Sequence, residues 1–283
     1  MSIVIYATEV SCITGDNKFK PLAECFEDMV KRYNPSLYRE YNFGSSEDTV
    51  RNLYSDIITS VVPQEDNTRG LVVAQTDCLK KVKTQIKSDQ AELQKGLQTE
   101  GAKRAAALPD DVKSAVQAVT QSAVRCGHGV RKENSVLEWY AARYNCKVSQ
   151  PTQFFKAKLL TTNGYVCFVG GRVDGLRGDG VVIEIKSRTR RLYKTLWPAE
   201  KMQLQTYLHI LGAPHGDLVE SVVTAEGIDR FVIHCGRDET TWAKTEARLH
   251  KYCNYLTRFL GKVDMKYINS SQRTQYLHDL LDD

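Results

Sequence analysis

The chain has 283 residues, 42% hydrophobic and 26% charged, which excludes a disordered or low-complexity protein and allows a sizeable core. Its formal charge of +5, from 39 Lys+Arg against 34 Asp+Glu, permits an anionic partner without demanding one. No apolar run approaches the roughly 18 residues of a membrane span, and the opening Met1-Ser2-Ile3-Val4-Ile5-Tyr6 has no basic segment before its apolar stub, so neither a membrane anchor nor a secretory signal is expected.

The first 125 residues read mainly as helix. Residues 21–33 carry Leu22, Cys25, Phe26, Met29, Val30 and Tyr33 at helical spacing behind Pro21. Residues 47–62 repeat that pattern up to Pro63. Residues 76–107 are long, charged and thinly apolar, read as a helix or an arm with helical tendency. A further helix is expected over about 110–123, and Gly127-His128-Gly129 interrupts. Residues 130–144 then form the strongest helix of this half, with Glu133, Leu137, Tyr140 and Ala141 on one face.

From 151 the texture changes. Residues 153–160 read as a strand, and Thr162-Asn163-Gly164 is a hairpin signal. Residues 165–176 are a strand in which the adjacent pair Gly170-Gly171 suggests a kink. A turn at 177–180 leads into the β-branched strand 181–187. A helix over 198–211 lies between Pro198 and Gly212. Strands at 218–225 and 230–235 and a helix over 238–260 complete the pattern. The fold class is α/β (α+β): a mixed sheet of about five strands flanked by helices.

Three charged residues sit inside the apolar strands: Asp174, Glu184 and Lys186. Glu184 and Lys186 are two apart, so they project from one face, while Ile183 and Ile185 face the other way. The hairpin brings Asp174 beside Glu184. Two neighbouring carboxylates repel unless a cation lies between them, and Mg²⁺ (or Mn²⁺) suits hard oxygen ligands. Lys186 then orients or deprotonates an attacking water, or stabilises charge on a phosphate, which is the chemistry of metal-assisted phosphodiester hydrolysis. A single Glu-x-Lys is more often a structural ion pair. The basic run that follows, Arg188, Arg190, Arg191 and Lys194, favours a phosphate track over a solvated loop. Gln203 and Tyr207 share a helix face, and a core-facing Gln needs a polar partner that such a site supplies. Trp197, after the basic run, is read either as core or as a base-stacking side chain.

Gly171-Arg172-Val173-Asp174-Gly175, then Val182-Ile183-Glu184-Ile185-Lys186-Ser187-Arg188, then Gln203-Leu204-Gln205-Thr206-Tyr207 resembles the PD-(D/E)xK nuclease superfamily. More narrowly, it resembles the phage lambda exonuclease/YqaJ group and the viral alkaline nucleases. Val173 stands where the superfamily usually has Pro. Gly129, Glu133, Leu137 and Tyr140 are similar to the group's upstream acidic helix. Tyr6 to Val10, with Gly15 after it, is similar to its opening segment. The likeness covers residues 1–30 loosely and 125–215 well, with no counterpart over 40–120.

The resemblance implies a restriction-endonuclease-like core over 126–283 and an integral helical region over 1–125. It implies a third metal carboxylate, Glu133, beside Asp174 and Glu184, with the carbonyl of Ile185 as a further ligand. It also implies phosphate or nucleic-acid contacts from Arg172, Arg188, Arg190, Arg191, Lys194, Gln205, Tyr207 and Thr8, with Gln203 and Lys186 in the catalytic group. The activity implied is a metal-dependent, 5′→3′ exonuclease of duplex DNA serving recombination, repair or replication, with an annealing or recombinase partner and a homo-oligomeric assembly. The residues leave open an endonuclease, a single-strand nuclease or an RNase of the same superfamily, and a non-catalytic DNA-binding protein on this fold. The eight cysteines include no C-x-x-C pair and the six histidines no metal-ligand spacing, so reduced, mostly buried thiols of a soluble intracellular or viral protein are expected.

Overall fold

The computed structural model describes residues 1–41, 54, 68–96, 133–262, 277, 279 and 281. The expected helix over 110–123, the glycine interruption at 127–129 and, apart from Tyr54, the helix over 47–62 lie outside the described residues. The first described element is a strand where an apolar stub was expected. β1 (Ser2–Tyr6) alternates buried Ile3 and Ile5 with more exposed neighbours, the period of a half-buried strand. Helix α1 (Ala7–Ile13) follows at once, and the Glu9 carboxylate accepts a hydrogen bond from the Tyr6 N–H at 2.8 Å, satisfying one free amide at the helix start. Helices α2 (Leu22–Tyr33), α3 (Pro35–Glu40) and α4 (Thr68–Gln94) come next, α4 starting upstream of the expected 76. α5 spans residues 133–144.

The strands are β2 (Val148–Ser149), β3 (Phe155–Thr162), β4 (Tyr165–Gly171), β5 (Gly175–Arg177) and β6 (Val182–Arg188). Then come α6 (Pro198–Leu211), β7 (His215–Thr224), β8 (Gly227–Gly236) and α7 (Glu239–Leu260). They form two sheets, ordered β1-β4-β3 and β2-β5-β6-β7-β8, where a single sheet was expected. The reason is the kink at 172–174. The segment expected as one strand over 165–176 divides there, its first half pairing with β1 and β3 and its second with β2 and β6. The β3–β4 turn is the expected one, with Asn163 and Gly164 at φ 49° and 78°.

The five-stranded sheet is mixed. β6 runs parallel to β7 across the α6 crossover, and β7 is antiparallel to β8. Two helices cover its middle. Leu204 and Leu208 of α6 pack with Val182 and Leu218 on one face. Val136, Leu137 and Tyr140 of α5 pack with Ile183, Ile185 and Val219 on the other. Because β6 alternates, Ile183 and Ile185 are committed to α5 while Glu184 and Lys186 face α6. A second core joins β1, α1, α2 and α7 around Phe26, Met29, Tyr252 and Leu256. The seven described cysteines are free thiols, six of them buried. Among the described residues, no helix is long and apolar enough to cross a membrane.

Candidate active site

The kink between β4 and β5 sets Asp174 against β6. The last β5–β6 pair is Gly175 with Ile183, so the strand has turned away before it reaches Ile185. The Ile185 N–H donates to Asp174 Oδ2 at 2.7 Å, replacing the lost ladder bond. Glu184, on the same strand, is 3% exposed. Its Oε1 accepts from Lys186 Nζ at 2.7 Å and from Gln203 Nε2 at 2.7 Å. Lys186 Nζ also donates to Gln203 Oε1 at 2.9 Å, closing a three-membered ring of hydrogen bonds. Glu184 Oε2 is buried and accepts no hydrogen bond. An unsatisfied buried carboxylate oxygen is costly, and its neighbours show the strain electrostatically.

Burial, then the charge of Glu184, push the Asp174 carboxyl up to about 8, with Glu133 adding to the repulsion. Burial and Glu184 likewise raise Glu133 above the usual carboxyl range. Burial works against the charged form of Lys186, but Glu184, Asp174 and Glu200 outweigh it and hold the ammonium in place. Glu133, near the start of α5, accepts from Gln150 Nε2 at 3.3 Å. Among the described residues, no three Asp, Glu, His or Cys side chains stand close enough to form a ready-made metal cage. The dense point is the pair Asp174 and Glu184.

Tyr207 lies one helical turn beyond Gln203 on α6 and is buried. A Cβ on Gly171 would come within 2.8 Å of its ring and hydroxyl, so only glycine lets β4 pass at this point. Burial and Glu184 push its phenol up.

Other expected residues go elsewhere. Gln205 is fully buried; it donates to the Gly236 carbonyl at 2.6 Å and accepts from the Asp238 N–H at 2.8 Å. It joins α6 to the start of α7 and is not presented to a nucleic acid. Arg188 pairs with both oxygens of Glu200 at 2.7 and 3.0 Å and with Glu220 at 2.6 Å. Glu220 in turn accepts from the Tyr193 and Lys194 N–H groups at 3.0 and 2.7 Å. Arg188 therefore anchors the basic segment to the sheet, while Arg172, Arg190, Arg191 and Lys194 are exposed. Thr8 is exposed on α1. Glu200 and Glu220 escaped the sequence reading. A lone Glu in the apolar run Leu218-Val219-Glu220-Ser221-Val222-Val223 was the signal, since a buried carboxylate requires a cationic or N–H partner.

A family model described as the YqaJ-like viral recombinase domain matches residues 67–213. The chain belongs to this family. The match takes in Glu133, Asp174, Glu184, Lys186, Gln203 and Tyr207, and leaves Thr8 outside. It also starts upstream of the quoted likeness, reaching into the 40–120 stretch for which no counterpart was expected. The YqaJ-like domain thus carries the Asp…Glu-x-Lys pattern of the PD-(D/E)xK superfamily on a mixed α/β fold. Among solved structures, the chain is similar to an alkaline exonuclease (LHK-Exo) from Laribacter hongkongensis, at 19% identity over 55% of this chain and 73% of that one, with a TM-score of 0.34. It is similar to the protein SSO0001 at 21% identity over 52% and 75%, also with a TM-score of 0.34. No curated protein matches the chain.

Proposed function

We propose that the chain is a divalent-metal-dependent DNA exonuclease. The observation that carries this reading is Glu184 Oε2, buried without a donor beside the raised carboxyl of Asp174. Both features are what a hard cation relieves, and the donors present are oxygens, which suit Mg²⁺ or Mn²⁺. Asp174, Glu184, the Ile185 carbonyl and Glu133 are the residues that would hold it. When bound, the ion would neutralise charge at the scissile phosphate and lower the pKa of the attacking water.

The chain's own residues do the rest. Lys186 has three N–H groups, of which Glu184 and Gln203 take two, and the third serves the attacking water or the developing phosphate charge. Gln203 fixes both Lys186 and Glu184, so the carboxylate presents its free oxygen outward from the ring. Tyr207 walls the site against Gly171. Arg172, Arg190, Arg191 and Lys194 contact phosphates of the substrate, with Thr8 near the strand end. The direction is 5′→3′ on duplex DNA, leaving a 3′ strand for an annealing or recombinase partner, and the assembly is a homo-oligomer.

The test is digestion of end-labelled linear duplex with and without Mg²⁺, beside the same DNA as a closed circle, using the native chain and Lys186→Ala. Loss of linear DNA alone, only with metal and only in the native chain, is the expected result, and the label reads the direction. Cleavage of the circle means an endonuclease instead. Undiminished turnover in Lys186→Ala overturns the mechanism.

A further inference from the structure

A pocket of about 260 Å³ lies off the end of the basic segment, between the loop that follows α1 and the start of α6. It is lined by Phe19, Trp197 and Pro198, together with Lys18 and Asp16. Phe19 is 82% exposed. A single exposed apolar ring is ordinary, but one held in place opposite a second aromatic ring across a pocket is a candidate contact surface. It is held: Asn17 Oδ1 accepts from the Phe19 N–H at 3.0 Å and the Lys20 N–H at 3.1 Å, and the Asn17 N–H donates to the Ser11 carbonyl at 3.0 Å.

The Phe19 and Trp197 rings lie within 20° of parallel, with centroids 6.4 Å apart. Stacked bases repeat every ~3.4 Å, so a flat ring inserted between two others needs about 6.8 Å. The centroid distance falls a few tenths of an ångström short of that spacing and bounds the gap between the planes from above, so a base entering between them pushes the exposed Phe19 ring aside. Tyr193 lies 5.1 Å from Trp197, tilted by 58°, and Arg191 lies 5.6 Å over the Tyr193 ring. Lys18, Arg190, Arg191 and Lys194 are exposed and meet no carboxylate at ion-pair distance among the described residues. Flat aromatic walls with Lys18 in the lining and Arg190 and Arg191 on the neighbouring segment match a base attached to a phosphodiester chain better than an apolar peptide, and Asp16, the one acid of the lining, accepts from the Thr14 hydroxyl at 2.6 Å. Position agrees. Trp197 caps the helix that carries Gln203, six residues or about 9 Å along its axis, a separation of one to two nucleotides.

We propose that Phe19 and Trp197 clamp an unpaired nucleobase of the DNA strand next to the Glu184–Lys186–Gln203 group. The inference rests on the nuclease reading in that the substrate is DNA. The clamp gives the site a grip on single-stranded character at a duplex end, through stacking that is indifferent to base identity.

The experiment uses the full chain in EDTA, which stalls cleavage. The probes are duplexes with a short single-stranded extension carrying 2-aminopurine at successive positions, and the same DNAs with an abasic site there. The native chain is expected to quench the fluorescence at one position. Phe19→Ala is expected to lose the quench and to bind the base-containing DNA on the order of tenfold more weakly, while Phe19→Tyr retains both. Because Phe19 is exposed, its substitution leaves folding intact, and Trp197→Ala serves as the second arm. Abasic DNA is expected to bind the native chain and Phe19→Ala alike. An unchanged quench in Phe19→Ala, or an equal loss on abasic DNA, overturns the clamp. A native chain that digests linear DNA but shows no quench at any position overturns the clamp alone. A chain that quenches yet never cleaves supports the clamp and overturns the nuclease reading alone.

Discussion

Asp174 takes its orientation from the strand that carries Glu184: the Ile185 N–H, one residue past Glu184, donates to Asp174 Oδ2 at 2.7 Å. That bond holds the two carboxylates together, and turning the Asp174 side chain away to relax their repulsion would cost it.

That repulsion predicts the pH behaviour of the metal-free chain. Asp174 titrates at about 8 when folded, against roughly 4 for an ordinary carboxyl in an unfolded chain. Between those two values the folded state binds more protons than the unfolded one, so stability falls as pH rises through the window and is fully present only below its lower end. Thermal melts in EDTA are expected to show a lower Tm at pH 8.5 than at pH 5.5, with the slope flattened in Asp174→Asn. Mg²⁺ binding needs the ionised carboxylate, so affinity tightens with pH up to about 8, and calorimetry near pH 7 should register proton release on metal binding. A pH-independent affinity across this range contradicts the assignment.

Gln203 holds both Lys186 and Glu184. Gln203→Ala leaves each with one partner fewer in a buried setting, and a loss of about 1–3 kcal/mol is expected from urea denaturation. Digestion of labelled duplex should slow by at least about tenfold, with DNA affinity nearly unchanged, because the residue positions the group and does not grip the substrate.

Gly171→Ala drives a methyl group against the Tyr207 ring at 2.8 Å. Overpacking of this kind is expected to lower stability by roughly 1–3 kcal/mol. Tyr207→Leu in the same chain should recover part of the stability and none of the activity. Full stability in Gly171→Ala alone would mean that Tyr207 has another place to go.

Glu220→Ala removes a fully buried carboxylate from Arg188 and from the Tyr193 and Lys194 amides. A loss of about 1–3 kcal/mol is expected, since the two amides lose their acceptor while Arg188 keeps Glu200. Phosphate contacts weaken with it, read as a shallower salt dependence of DNA binding. The exposed pair Arg177 and Asp179, at 2.7 Å, is the control: Asp179→Ala should be close to neutral.

Much of this was legible in the sequence where local chemistry decides. Pro198 and Gly212 bracket α6, with Gly212 at φ 64°, and Asn163-Gly164 set the β3–β4 turn. The alternation in β6 put Glu184 and Lys186 on one face, and a Gln on the next helix was expected to need them. What was not legible depends on distant partners. β1 finds its place only beside β4, and nothing local distinguishes its five residues from a loose apolar start. The ion pairs of Arg188 were not legible because Glu200 and Glu220, 12 and 32 residues away, meet it only once α6 and β7 are in place. The division into two sheets follows from a bend at 172–174 that two glycines hint at but do not specify.

The pairing of β1 with β4 has a kinetic consequence. Asp174 through Tyr207 assemble from one contiguous stretch, and such short-range contacts form quickly. Tyr6 meets Gly170 across more than 160 residues. At about 5–20 residues per second on the ribosome, β1 waits on the order of ten seconds or longer before β4 emerges. During synthesis Ile3 and Ile5 are without their sheet partner, and the newborn chain presents a β-branched strand that a chaperone must shield or α1 and α2 must shelter.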